Sequence, residues 1–169
     1  CLVDQFWSPL ANKREDRWGG SLDNRLRFVT EIVEGIRKAC GTDFIVGMTV
    51  SGAEPYPGGL SMADKQEIFA RLDERGLADY FSCGTGSYLN QFSKIVPSMH
   101  FDTPLGPPDA AKLKKVVKHA LVTAEARVKT PARADAAIEA GQCDLVSIVR
   151  GQIADPHLAN KAREGRADD

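Results

Sequence analysis

The sequence lacks an excess of either charge: 22 Lys and Arg stand against 23 Asp and Glu, mixed along 169 residues. There is no basic stripe for nucleic acid or for an anionic membrane surface, and both are poor candidates as partners. No apolar run approaches the roughly 20 residues of a membrane-spanning helix, and the amino terminus has no basic-then-apolar signal pattern. Cysteine is sparse. Cys1, Cys40, Cys83 and Cys143 lie about 40 to 60 residues apart with no CxxC pair, which weighs against a disulfide framework and against an internal zinc site. Reduced thiols in a cytoplasmic protein are the expectation. No GxGxxG follows a strand-like run and no GxxxxGK[ST] occurs, which lowers the dinucleotide-fold and P-loop readings. An initiating Met is also missing, from which we expect that further chain precedes Cys1.

What is present is alternation of strand and helix signals. Residues 1–20 read as the exit from a buried strand onto a long polar loop. From Ser21, Phe28, Ile32, Ile36 and Ala39 recur at helical spacing, and Gly41 stands where a carboxyl-terminal cap belongs. Phe44–Val50 is apolar on both faces, as in a parallel strand covered on either side. After the Gly- and Pro-rich stretch Ser51–Leu60, Ser61 and Asp64 open a helix with Ile68, Phe69 and Leu72 as its buried stripe, closed near Gly76. Asp79–Cys83 predicts the next strand. Gly84–Gly106 carries neither period, and a loop of that length is more often functional than not. Pro107 and Pro108 open a helix with Leu113, Val116, Val117 and Ala120 on its apolar face and Lys112, Lys114, Lys115 and Lys118 on a solvated one.

Leu121 to Pro156 holds two further units, LVTAEARV and DLVSIVRG. Each is followed by a helix with N-cap and first-turn proline signals, Thr130–Pro131 and Asp155–Pro156. Strand-helix units near 30 residues fit either a barrel or an open doubly wound sheet. A complete (βα)8 barrel needs roughly 250 residues, so the chain is either a smaller fold or a piece of one. In a barrel the strand ends lie side by side on the catalytic face, and the last two loops are the usual place for a phosphate. Arg127 and Arg150, at the ends of the last two strands, therefore lead the candidates. His100 has no ligand-spaced neighbours and reads as structural or substrate-adjacent, while His119 and His157 read as helix-end residues.

Two blocks carry a family resemblance. Gln5-Phe6-Trp7-Ser8-Pro9, Asn12-Lys13-Arg14, Asp16, Gly19-Gly20-Ser21-Leu22, Asn24-Arg25 and Arg27-Phe28 resemble a signature of the old yellow enzyme (NADH:flavin oxidoreductase) family. Ile153-Ala154-Asp155-Pro156, Lys161-Ala162, Gly165-Arg166 and Asp168-Asp169 resemble the end of that family's barrel. Gly84–Ser87 with Pro97-Ser98-Met99-His100 resembles the loop after the sixth strand in N-methylproline demethylase-like members. The likeness is greatest to the long branch, which contains trimethylamine dehydrogenase and dienoyl-CoA reductase.

The resemblance implies an α/β fold in which residues 1–169 are the carboxyl-terminal half of an FMN-binding TIM barrel, roughly strands five to eight with their helices. The amino-terminal half of the barrel, with its His or Tyr-x-x-His substrate motif, would lie upstream of Cys1. A [4Fe–4S] centre and a second nucleotide-binding region, for FAD or NAD(P)H, would lie beyond Asp169. It further implies that Ala126-Arg127 and Val149-Arg150 hold the FMN phosphate, with Ala126 and Val149 where the family usually has Gly. Thr49 stands where the family commonly places an Arg beside the flavin ring, and a hydroxyl brings no charge. Tyr88 and Gln91 fall near the substrate-facing groups of amine-oxidising relatives.

The expected activity is hydride transfer between flavin and a small-molecule substrate, an N-methylated amine undergoing oxidative demethylation or dehydrogenation. The alternatives are NAD(P)H-dependent reduction of an enoyl or dienoyl substrate, a flavin-free phosphate-binding lyase or isomerase, and a non-catalytic half-barrel module. The segment alone is expected to be inactive, and a homo-oligomer is compatible with the sequence.

Overall fold

A computed structural model describes residues 2–54, 56–86 and 91–167. Four parallel strands, β1 (Gly47–Val50), β2 (Tyr80–Cys83), β3 (Leu121–Ala124) and β4 (Leu145–Val146), lie in the order β1-β2-β3-β4. A doubly wound sheet reverses its strand order at a switch point. This one never does, which resolves the two architectures left open by the sequence in favour of a barrel segment. The helices are α1 (Leu2–Trp7), α2 (Leu22–Cys40), α3 (Met62–Glu74), α4 (Phe92–Ile95), α5 (Gly106–Lys114), α6 (Pro131–Glu139), α7 (Arg150–Ala154) and α8 (Leu158–Arg163).

Strand alternation divides the sheet into two unlike faces. Met48, Val50, Phe81, Cys83, Val122 and Ala124 are buried on one face and join Ile68, Phe69, Leu72 and Leu113 of the helices in a single core. The aromatic chain Trp7, Phe69, Phe81 runs through it edge to face, with ring centroids 6.0 and 5.0 Å apart. The other face, the lumen side in a closed barrel, carries Thr49, Ser82 and Thr123 in register, with Leu145 beside Thr123. Its outer positions Thr49, Leu121 and Leu145 are exposed.

The strand starts share one device. Asp79 accepts from Val46 N–H (2.6 Å) while pairing with Arg37, and Asp144 accepts from Val122 N–H (2.9 Å) while pairing with Lys114. Each carboxylate, just before its own strand, thereby locks the register of the preceding strand. Asp73, buried in α3, accepts from the N–H groups of Lys118, His119 and Ala120 and pins the turn into β3.

The first family block proves architectural. Ser21 caps α2, Arg25 Nε donates to Trp7 O (2.7 Å), and Asn12 Nδ2 donates to the carbonyls of Phe6 and Trp18. Gly19 packs so tightly that a Cβ there would lie 2.2 Å from Arg14 O. Lys65, 1% exposed, reaches Asp4 at 3.0 Å, and Ser51 Oγ donates to the same carboxylate, tying α1 to α3 and to the end of β1.

Several expectations need correction. Residues 2–7 form a helix rather than a strand exit, because Val3 and Trp7, four apart, face the core. The buried stripe of α2 is Leu26, Val29, Thr30 and Val33; Phe28 stacks on Phe6 instead, and Ile32 is 42% exposed. β1 starts at Gly47, and Phe44 and Ile45 are exposed, since only one face of this sheet is covered. A short helix, α4, interrupts the long loop, and α5 stops at Lys114 before Val116. β3 and β4 end well before Arg127 and Arg150. An unexpected short helix, α7, starts at Arg150 inside the run read as a strand; the helix expected at Asp155–Pro156 is α8, which starts at Leu158 after Asp155 accepts from His157 N–H. The capping signals at Ser61 and Thr130 hold as read, each side chain accepting from the backbone three residues on.

Candidate functional site at the ends of the last two strands

Beyond β3 the chain does something that L-residues resist. Ala126 and Arg127 adopt φ of 65° and 69°, consecutive left-handed residues with no glycine between them. Such a conformation costs roughly 1–2 kcal/mol per residue and persists only where the surroundings over-determine it. Here they do. Leu105 N–H and Gly106 N–H both point at Ala126 O (3.1 and 3.4 Å), and Arg127 Nε donates to Phe101 O at 2.5 Å. Gly106 lies so close that a Cβ would stand 1.6 Å from Glu125 O. The long loop thus serves as the mould for the turn after β3.

The turn opens onto a cavity of about 570 Å³. Its floor and cationic wall are Glu125 to Lys129 after β3 and Ser147, Val149, Arg150, Gly151 and Ala154 after β4; its apolar wall is Ile95, Val96 and Pro97 of the long loop. Four of the five residues expected at the cofactor, Ala126, Arg127, Val149 and Arg150, line this one cavity. Gly151 explains the proximity of the two segments: a Cβ there would lie 2.9 Å from Lys129 O, so only glycine lets α7 close onto the turn after β3.

Arg127 is 8% exposed, whereas Arg150 and Lys129 are open to solvent. The ion pairs among the described residues include none of the three. A buried guanidinium without a carboxylate is costly, and three unpaired cations around one cavity make it a receiver for an anion. The arrangement fits a phosphate through guanidinium forks rather than through a glycine-rich loop.

The other expected residues fall elsewhere. Thr49 is exposed on the lumen side of β1, two strands from β3 and so roughly 10 Å away, outside this cavity. Gln91 is half-buried at the start of α4 and does not line the cavity, although the last residue of that helix, Ile95, does. Tyr88 lies outside the described residues. The His100 ring and backbone N–H bond to Ser98, two residues before it, and no group of three His, Cys, Asp or Glu side chains among the described residues could hold a metal. Burial pushes the Cys83 thiol up to about 12, with the Asp109 and Glu125 carboxylates adding to it, so it is no nucleophile at neutral pH. A second cavity, about 620 Å³ between α2 and α3, is crossed by the pairs of Arg71 with Asp23 and Arg75 with Glu34 and presents no unsatisfied chemistry.

Two features were not read from the sequence: Glu125 in the cavity floor, and the apolar wall. An acid two residues before a candidate phosphate-binding Arg, at the polar end of an otherwise apolar strand, is a signal that could have marked Glu125.

Sequential parallel strands carrying helices on one face define part of a (βα)8 barrel. The chain belongs to the NADH:flavin oxidoreductase / NADH oxidase family, whose profile matches residues 1–169. It is 40% identical over 174 residues to N,N-dimethylglycine/sarcosine dehydrogenase of Chromohalobacter salexigens, covering 99% of this chain and 24% of that protein. Among solved structures, a 2-naphthoyl-CoA reductase complex superposes with a TM-score of 0.81 at 31% identity, over 99% of this chain and 25% of that one. Histamine dehydrogenase from Rhizobium sp. 4-9 superposes with a TM-score of 0.85 at 27% identity, over 98% and 23%. The chain spans about a quarter of the length of these relatives. No helix among the described residues is long and apolar enough to cross a membrane.

Proposed function

We propose that the protein is an FMN-dependent oxidoreductase in which residues 1–169 form the carboxyl-terminal half of the flavin-binding barrel. One observation carries the reading: a guanidinium, Arg127, buried in the turn after β3 without a carboxylate partner among the described residues and held there by a strained backbone. Arg127 and Arg150 grip the FMN phosphate, and the backbone at Ala126 and Val149 flanks it. Buried charge in a largely apolar cavity is worth far more than the same charge in water, so the anion end anchors the cofactor. Bound FMN supplies the two-electron carrier for hydride exchange with substrate. Thr49 brings a hydroxyl and no charge to the lumen side.

The substrate proposed is an N-methylated amine, a reading supported by the likeness to N,N-dimethylglycine/sarcosine dehydrogenase. An aromatic such as Tyr88 would hold a methylated ammonium by cation–π attraction of about 0.5–2 kcal/mol, with Gln91 as a polar neighbour. The second reading, NAD(P)H-dependent reduction of an enoyl thioester, is supported by the likeness to 2-naphthoyl-CoA reductase. In either case the electron route, through a [4Fe–4S] centre or from NAD(P)H, lies outside this segment, as does the other half of the barrel. The setting proposed is the cytoplasm, and a homo-oligomer is compatible with it.

The test uses the protein expressed from its complete reading frame. It should purify with FMN. Arg127→Ala should weaken FMN binding about ten- to a hundredfold, the loss of a charge-assisted contact, and leave riboflavin binding unchanged. A flavin-free protein, or an Arg127→Ala variant with unaltered FMN affinity, would overturn the proposal. Oxidation of N,N-dimethylglycine with an artificial electron acceptor, set against NADH-dependent reduction of an enoyl thioester, separates the two substrate classes.

A further inference from the structure

The cavity beyond β3 and β4 is chemically two-ended. Glu125 is its one carboxylate lining residue, yet it pairs with none of Arg127, Lys129 or Arg150. It turns instead toward β2, where Ser82 Oγ donates to Oε1 and where Oε2 lies 3.5 Å from the position a Cβ on Gly84 would take. Strand alternation puts Thr123 on the same face as Glu125. The Thr123 hydroxyl is buried, 7% of the residue being exposed, and has no hydrogen-bond partner. A buried polar atom left unpaired asks for a ligand or an ordered water. Glu125 therefore brings a carboxylate to the cavity, with the Thr123 hydroxyl on the same strand face just outside its lining, while Arg127, Lys129 and Arg150 line the same cavity as cations outside the ion pairs among the described residues.

We propose that Glu125, oriented by Ser82 and flanked by Thr123, receives the hydroxyl groups of a polyol chain whose phosphate is held by Arg127 and Arg150. The proposal rests on the FMN reading and deepens it by assigning the ribityl chain of the cofactor to a carboxylate. A carboxylate suits this task because it is acceptor-only and every polyol hydroxyl can donate. The Ser82 bond occupies Oε1 and leaves Oε2 free to accept. Held back by Ser82, the negative charge does not neutralise the cations that take the phosphate, so the two ends work on one ligand without cancelling.

The experiment measures binding of four probes to the flavin-free full-length protein: FMN, riboflavin, lumiflavin and inorganic phosphate. Flavin binding is followed by fluorescence quenching, and phosphate binding by calorimetry. Glu125→Ala is expected to weaken FMN and riboflavin alike by about ten- to a hundredfold. Lumiflavin, which has no polyol, and phosphate should be unmoved. Glu125→Gln, the same shape with one acceptor oxygen kept, should lose less than Glu125→Ala, and Ser82→Ala should loosen riboflavin without touching phosphate. Equal affinity of wild type and Glu125→Ala for riboflavin would overturn the proposal. So would a loss confined to the Michaelis constant for a cationic amine, with Gln as harmful as Ala, because that pattern marks an ammonium partner. A wild type that takes up neither FMN nor riboflavin fails at the FMN reading itself, whereas normal FMN uptake with an indifferent Glu125 fails only here.

Discussion

Replacing Ala126 by glycine should stabilise the protein, against the usual direction of such a change. Ala126 sits at φ 65° in a turn fixed by two N–H groups of the α5 entrance. Relief of the left-handed strain is worth roughly 1–2 kcal/mol, and the extra freedom that glycine gives the unfolded chain takes back about 0.4–1 kcal/mol. The net is a gain of about 0.5–1 kcal/mol. Gly76 supplies the opposite control: it has φ +61° with nothing within 4 Å of a would-be Cβ, so Gly76→Ala changes conformational preference alone and should lose a similar amount. Urea denaturation of the two variants, followed by circular dichroism under matched flavin-free conditions, should move the midpoint in opposite directions. If Ala126→Gly lowers it as Gly76→Ala does, the turn after β3 is not strained, and the claim that the long loop forces it open for a ligand falls.

Asp73→Ala strips the acceptor from three N–H groups at the entry to β3, that of Ala120 in a buried residue, and should cost about 3–5 kcal/mol in denaturant unfolding. A loss below about 1 kcal/mol would mean that water serves the turn equally well. For Asp144, burial pushes the carboxyl up, but the hydrogen bonds from Lys114 and Val122 N–H, with the Lys114 charge, outweigh it and the net lies below the ordinary range. A depressed folded value contributes stability that is complete above the unfolded value, about 4, and is lost as pH falls through the folded one. Asp144→Asn should therefore be less stable than wild type at neutral pH, and the gap should narrow on acidification below about pH 4. Thiol titration of the native protein at pH 8 should modify exposed Cys40 and spare Cys83, the latter held up near 12 by burial; rapid labelling of Cys83 would show that the core beneath β2 opens.

Local signals were the legible part of this fold. Ser61 with Asp64, and Thr130 with Pro131, marked helix starts because capping is settled within one turn of chain. The core stripe of α3 was equally plain, since Ile68, Phe69 and Leu72 recur at helical spacing and are all buried in one core. Misreadings arose where a residue answers to something distant. Phe28 has the helical spacing of a core residue but stacks on Phe6, ahead of the helix, so the stripe of α2 was read one position out of phase. Asp155–Pro156 has the letters of a helix start and α8 follows it at Leu158, but the short α7 ahead of it carries no such letters and depends on Gly151, which lets it press against Lys129 O.

The same distinction governs the site. Arg127 and Arg150 could be named from the strand-end rule, and the structure brings them to one cavity. What could not be read is why Arg127 faces that cavity at all: its direction is set by Phe101 O, Leu105 N–H and Gly106 N–H, contributed by a loop that has no period of its own. A strained pair of residues gains nothing locally from its conformation, so its cause must lie in the partners that hold it. Gly106 is the hinge of that dependence, because any side chain there would strike Glu125 O and push β3's turn off its mould. The Arg127 and Glu125 sides of the cavity are then linked through one backbone contact, and a change at Gly106 should disturb the proposed recognition of phosphate and of polyol together, although Gly106 is not among the residues lining the cavity.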